Sequence, residues 1–108
     1  MTTLNDVQPQ VDEWLRQGEP VALATVVKVW GSAPRSRGAK MAISASGGIV
    51  GSVSGGCVEA AVVDVAQEVL RTGQPRLVSY GVADELAFTV GLSCGGEIDV
   101  FVEPITVN

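Results

Sequence analysis

The chain contains no histidine. Without an imidazole it has no Ser-His or Cys-His nucleophile pair, no ordinary general base near neutral pH, and few routes to a zinc centre. Cysteine is scarce, with Cys57 and Cys94 alone, too few for a disulfide framework. Aromatic residues make up 5% of the sequence, so the core has to be built from Val, Ala, Leu and Ile. Basic residues are also few, seven against twelve acidic, for a net charge of −5. That balance argues against nucleic acid as a partner, because neutralising phosphates needs a basic face. No apolar run approaches the ~20 residues of a membrane span. The opening residues MTTLND carry neither the basic nor the apolar region of a signal peptide. A cytoplasmic protein with reduced thiols is expected.

What is present is glycine and aliphatic bulk. Of 108 residues, 46% are hydrophobic and 13 are glycine, which suits one compact domain spanning residues 1–108. Val7, Val11, Trp14 and Leu15 recur at helical spacing behind a candidate N-cap, Asp6, with Pro9 in the first turn and Gly18 as the stop. Residues 20–30 are nearly continuous in β-branched and small apolar side chains, the pattern of a strand covered on both faces. Residues 39–44 and 48–51 read as a hairpin around Ser-Ala-Ser-Gly-Gly. A helix is predicted from about Cys57 to Gly73, with Val58, Val62, Val65, Val69 and Leu70 inward. Strands follow over 75–80 and 97–103, the second alternating Ile98, Val100 and Val102 against Asp99, Phe101 and Glu103 before Pro104 stops it. Residues 83–89 are ambiguous, with one helical turn after Asp84 as an option. The order α-β-β-β-α-β-β predicts an α/β domain, a mixed β-sheet flanked by helices.

The placement of charge carries more information than its total. Residues 20–58 hold no acid yet include Lys28, Arg35, Arg37 and Lys40, for +4, while the remainder of the chain carries −9. An acidic protein that gathers its positive charge in one glycine-rich stretch is suited to hold an anion; the plain alternative is a chance surface cluster on a hairpin. The run Gly51-Ser52-Val53-Ser54-Gly55-Gly56-Cys57 leads straight into a helix, where free backbone N–H groups and the dipole favour negative charge. It is neither a Walker A loop nor a Gly-x-Gly-x-x-Gly fingerprint. The plain alternative is a tight turn with Ser54 as N-cap.

Cys57 and Cys94 sit in near-mirror contexts, Ser-Gly-Gly-Cys and Ser-Cys-Gly-Gly. A thiol at a helix start near cationic side chains is set up as a nucleophile or soft-metal ligand. Packed core thiols, a disulfide, or half of a zinc site shared across a dimer are the competing readings. Glu59, in the first turn, reads by default as a carboxylate that compensates the helix dipole.

Four motifs, Gly31-Ser32-Ala33-Pro34-Arg35, Gly38-Ala39-Lys40-Met41, Gly51 through Glu59 as quoted, and Gly91-Leu92-Ser93-Cys94-Gly95-Gly96, occur in order along the chain. Together they resemble the N-terminal domain of the XdhC/CoxI family, accessory factors for molybdenum hydroxylases such as xanthine dehydrogenase and carbon monoxide dehydrogenase. The resemblance covers about residues 7–104. It implies a maturation factor that binds the molybdenum cofactor (molybdopterin or its dinucleotide form), assists its sulfuration with a cysteine desulfurase, and delivers it to the hydroxylase apo-enzyme. On this reading Gly31, Ser32, Arg35, Gly38, Lys40, Ser52, Ser54, Gly55, Gly56, Glu59, Gly95 and Gly96 bind the cofactor. Cys57 and Cys94 supply the reactive thiols, and Cys57 contacts the molybdenum. A chaperone rather than a turnover enzyme is expected. The alternatives are a sulfur-relay enzyme carrying a cysteine persulfide and a non-catalytic module that docks the target enzyme. Typical members continue into a C-terminal Rossmann-like domain that this sequence lacks, so a homodimer or a separate Rossmann-domain chain is the expected complement.

Overall fold

A computed structural model of the chain describes residues 4–30, 38–53, 58–81 and 97–105. Its elements are α1 (Leu4–Arg16), β1 (Val21–Trp30), β2 (Lys40–Ser44), β3 (Ile49–Gly51), α2 (Glu59–Thr72), β4 (Arg76–Gly81) and β5 (Glu97–Ile105). The α/β class and the element order are those the sequence predicts. The ambiguous residues 83–89 lie outside the described residues.

The five strands form one sheet in the order β3-β2-β1-β5-β4. Every neighbouring pair is antiparallel, whereas the sequence suggested a mixed sheet. The long apolar run of β1 is explained by cover on both faces, which a central antiparallel strand between two helices obtains just as well. Ala22, Ala24 and Val26 of β1 point to one side, where they meet Met41, Ile43, Ile98, Val100 and Val102 and the inner face of α2 (Val62, Ala66, Val69). Val21 points to the other side and packs with Ala42 against Val7, Val11, Trp14 and Leu15 of α1. The alternation of side chains along each strand thus sorts the core into two layers.

Both helices stop on left-handed glycines. Gly18 (φ 77°) donates to Leu15 O at 3.0 Å while Glu19 N–H reaches Trp14 O at 2.9 Å, a Schellman pair that ends α1. Gly73 (φ 74°) closes α2 by a 2.8 Å bond to Val69 O. α1 begins at Leu4, upstream of the Asp6 cap expected, so Pro9 lies inside the helix. β5 runs through Pro104 to Ile105 instead of stopping there. β4 begins opposite Val102, so past that residue no strand among the described residues requires a donor from β5 on that side.

The hairpin turn is tied to α1. A Cβ on Gly48 would stand 2.7 Å from the Trp14 ring and 2.9 Å from Ser44 Oγ, which accepts the Gly48 N–H at 2.8 Å. Gly48→Ala is expected to destabilise the protein by about 1–3 kcal/mol through this overpacking, read as a lower urea midpoint. Glu19 Oε1 accepts the Ser46 N–H at 2.8 Å. The Ser46 side chain and then its backbone hold the Glu19 carboxyl below its ordinary value. This contact therefore supports the turn above the ordinary carboxylate range and is lost as pH falls through the lowered value.

Candidate functional site

The described flanks of the three glycine-rich segments all lie at one end of the sheet. Trp30, the last residue of β1, stands opposite Glu97, the first of β5, which stands opposite Gly81, the last of β4. One transverse row of the sheet therefore contains the chain just before residue 31, just before residue 82 and just after residue 96. β2 starts and β3 ends toward the same end, joined by Ser52 N–H to Lys40 O at 3.1 Å. The start of α2 follows from Val53 and Val58, both buried in the core beneath that helix.

Antiparallel order produces this convergence. β1, β3 and β4 end, and β2 and β5 begin, toward the same end of the sheet. Gly31, Ser32, Arg35, Ser54, Gly55, Gly56, Cys57, Cys94, Gly95 and Gly96 lie outside the described residues. Among the described residues, no cluster of three or more His, Cys, Asp or Glu could hold a metal ion.

Four of the expected site residues are described. Gly38 has φ 95° and gives its N–H to Val26 O at 2.8 Å, so this glycine serves the return of the chain into β2. Lys40 alternates with Met41 and Ile43, which fill the α2 layer, and its ammonium donates to Thr25 Oγ1 at 3.1 Å. Its head group is thus on the α1 side of the sheet, away from the start of α2. Lys28, opposite Asp99 across the β1–β5 pair, takes the same side. Asp99 also accepts the Ser79 hydroxyl at 2.5 Å.

Ser52 and Glu59 are brought together. Glu59 Oε2 accepts the Ser52 hydroxyl at 2.7 Å and the Val53 N–H at 3.1 Å. The N-cap position of α2 is Val58, which makes no side-chain cap, rather than Ser54. In place of a cap, a carboxylate at the first helical position reaches back to the end of the hairpin. Compensation of the helix dipole, the default role of Glu59, does not require this contact. The missed signal is a serine seven residues upstream, across a segment with two adjacent glycines. Tyr80, one residue before the end of β4, is nearly buried on the α2 side; burial pushes its phenol above its ordinary value, with Arg76 partly opposing.

Residues 14–81 match the model of the XdhC and CoxI family. The chain belongs to that family. Over 86 residues it is 41% identical to the molybdenum cofactor insertion chaperone PaoD of Escherichia coli, covering 80% of this chain and 27% of PaoD. It is 36% identical over 108 residues to a probable xanthine dehydrogenase subunit of Bacillus subtilis, covering 95% of this chain and 32% of that protein. A crystal structure of a xanthine dehydrogenase from Bacillus halodurans shares the fold with a TM-score of 0.78 at 33% identity, over 99% of this chain and 31% of the other. This XdhC/CoxI chain therefore spans a third or less of the length of these relatives. No helix among its described residues is long and apolar enough to cross a membrane.

Proposed function

We propose that this chain is the cofactor-holding domain of a molybdenum hydroxylase maturation factor. It binds the molybdenum cofactor, keeps it while a cysteine desulfurase supplies the terminal sulfido ligand, and passes it to the apo-enzyme. The observation that supports the reading is that the described flanks of all three glycine-rich segments leave or enter the sheet toward the same end of its strands. The similarity to a cofactor insertion chaperone supports it.

The residues suit the cargo chemically. Glycine-rich backbone beside a helix start offers N–H donors to the phosphate of the pterin or to a dinucleotide pyrophosphate. Thiols at 57 and 94 match a soft metal and its dithiolene sulfurs. Arg35 is assigned to the phosphate, since Arg presents a fork of donors that fits it. Lys40, engaged with Thr25 on the other side of the sheet, contributes charge rather than contact. Lys40→Met is accordingly expected to weaken cofactor binding by no more than about twofold, and Arg35→Met by about tenfold, in binding titrations followed by pterin fluorescence. The proposed partners are the hydroxylase apo-enzyme, a cysteine desulfurase and a second copy of this chain, and the proposed location is the cytoplasm.

The test is reconstitution. Apo-hydroxylase, cofactor, desulfurase, free cysteine and a reductant are mixed with and without the chain, and hydroxylase activity is followed. Faster recovery with the chain supports the reading; identical time courses would rule out an insertion role.

A further inference from the structure

The sheet has two edges, and they are unlike. β3 is three residues long, and its Val50 packs with Ala42 on the α1 side. β4, at the other edge, runs for six residues, Arg76–Gly81, and pairs with β5 without a register shift. It contains no Lys, Pro or bulge, the usual devices that blunt an edge. Among the described residues no strand pairs with its outer side, and Arg76, Leu77 and Ser79 are exposed. Leu77, 60% exposed, stands beside the partly buried Phe101 on the face away from α2.

The charge beside this edge is ordered. Glu68 of α2 binds Arg76, so that flank of the helix faces β4. Arg71 also reaches Glu68, at 3.7 Å, which gathers positive charge near the start of the strand. Asp64 is exposed one turn earlier on the same flank and acts, like Arg76, on the Tyr80 phenol near the end of the strand. The edge is therefore basic at one end and acidic at the other.

We propose that β4 is the contact between two copies of this chain, which pair their β4 strands antiparallel about a two-fold axis and join their sheets into one. The proposal deepens the reading above, in which a second copy is a partner, by naming the surface. A two-fold interface meets itself in reverse, so an edge with opposite charge at its two ends is complementary to itself. With Val78 on the axis, Arg76 of each copy stands opposite Tyr80 of the other, on the side of Asp64. Leu77 then stands opposite Ser79, and every residue faces one on the same side of the sheet, as the pleat requires. The two Leu77 side chains become diagonal neighbours within reach of each other. Main-chain hydrogen bonds along the strand supply the affinity, as in other strand additions. A six-residue strand gives a contact of about 20 Å, short beside a permanent interface, so the dimer dissociates on dilution.

The test uses the whole chain in reductant and without cofactor, which makes it independent of the chaperone reading. Sedimentation velocity over a dilution series gives the dimer Kd, and hydrogen exchange is followed over residues 76–81. The wild type is expected to dimerise reversibly, with slower exchange over 76–81 as concentration rises. Leu77→Lys places a charge on the edge, and Arg76→Glu sets a carboxylate against Asp64 of the other copy. Each is expected to raise the Kd by about tenfold or more, with a cooperative thermal transition retained. Adding Asp64→Arg to Arg76→Glu reverses both ends of the edge and is expected to regain most of that loss.

A chain that is monomeric at every concentration would overturn the proposal. So would a dimer that Leu77→Lys and Arg76→Glu leave intact, or one that gives no protection over 76–81. A double variant no tighter than Arg76→Glu would overturn the antiparallel register. A chain that dimerises in this way yet retains no cofactor fails the chaperone reading and leaves the β4 contact standing.

Discussion

Replacing both Cys57 and Cys94 by serine is expected to lower retained molybdenum cofactor by about tenfold or more, while the thermal transition stays close to that of the wild type. The expected effect follows from ligand softness: a hydroxyl keeps the size and polarity of the position but is a poor partner for a soft metal. Cys57→Ser alone is expected to account for most of the loss, since residue 57 directly precedes the buried Val58 at the start of α2. The measurement is pterin fluorescence and molybdenum content per protein after gel filtration. Wild-type retention by the double variant would remove the thiols from the site and leave the glycine backbone and Arg35 as its only contacts.

The largest expected loss of stability comes from the layer under α2. Ile98 is fully buried, opposite Val29 on β1 and Tyr80 on β4, one position from the row where β1 and β4 end and β5 begins. Ile98→Ala is expected to cost about 2–5 kcal/mol, the transfer free energy of the lost methyl groups plus a cavity term. Against a total stability of about 5–15 kcal/mol that is a severe loss. It is read as a lower urea midpoint with an unchanged slope. Leu77, 60% exposed on β4, is the contrast. Leu77→Ala is expected to stay within about 0.5 kcal/mol of wild type.

Much of this fold can be read from side-chain periodicity. The α1 face of Val7, Val11, Trp14 and Leu15, the alternation of β5, and the glycine stops at Gly18 and Gly73 are local patterns, and each appears where it was expected. Strand direction is different. A continuous apolar run reports that β1 is covered on both faces and says nothing of whether its neighbours run parallel to it. The passage of β5 through Pro104 is likewise set by where β4 begins, a tertiary fact with no local signal.

The site is legible in part. Three glycine-rich segments mark it, but linear sequence does not tell that antiparallel order turns their described flanks toward one end of the sheet. Charge along the chain suggested one basic pocket, yet Lys28 and Lys40 emerge on the α1 side of the sheet. The parity of β2 held that information, because Lys40 alternates with the buried Met41 and Ile43. The contact of Glu59 with Ser52 and Val53 was not legible, since a carboxylate in the first turn of a helix has a ready explanation in the dipole.

The most direct test is to purify the chain from cells that make molybdenum cofactor, oxidise the sample, and measure pterin fluorescence across the gel-filtration profile. Pterin and molybdenum co-eluting with the chain in a constant ratio is the predicted result. A chain that captures a hydroxylase subunit while carrying neither would contradict the account.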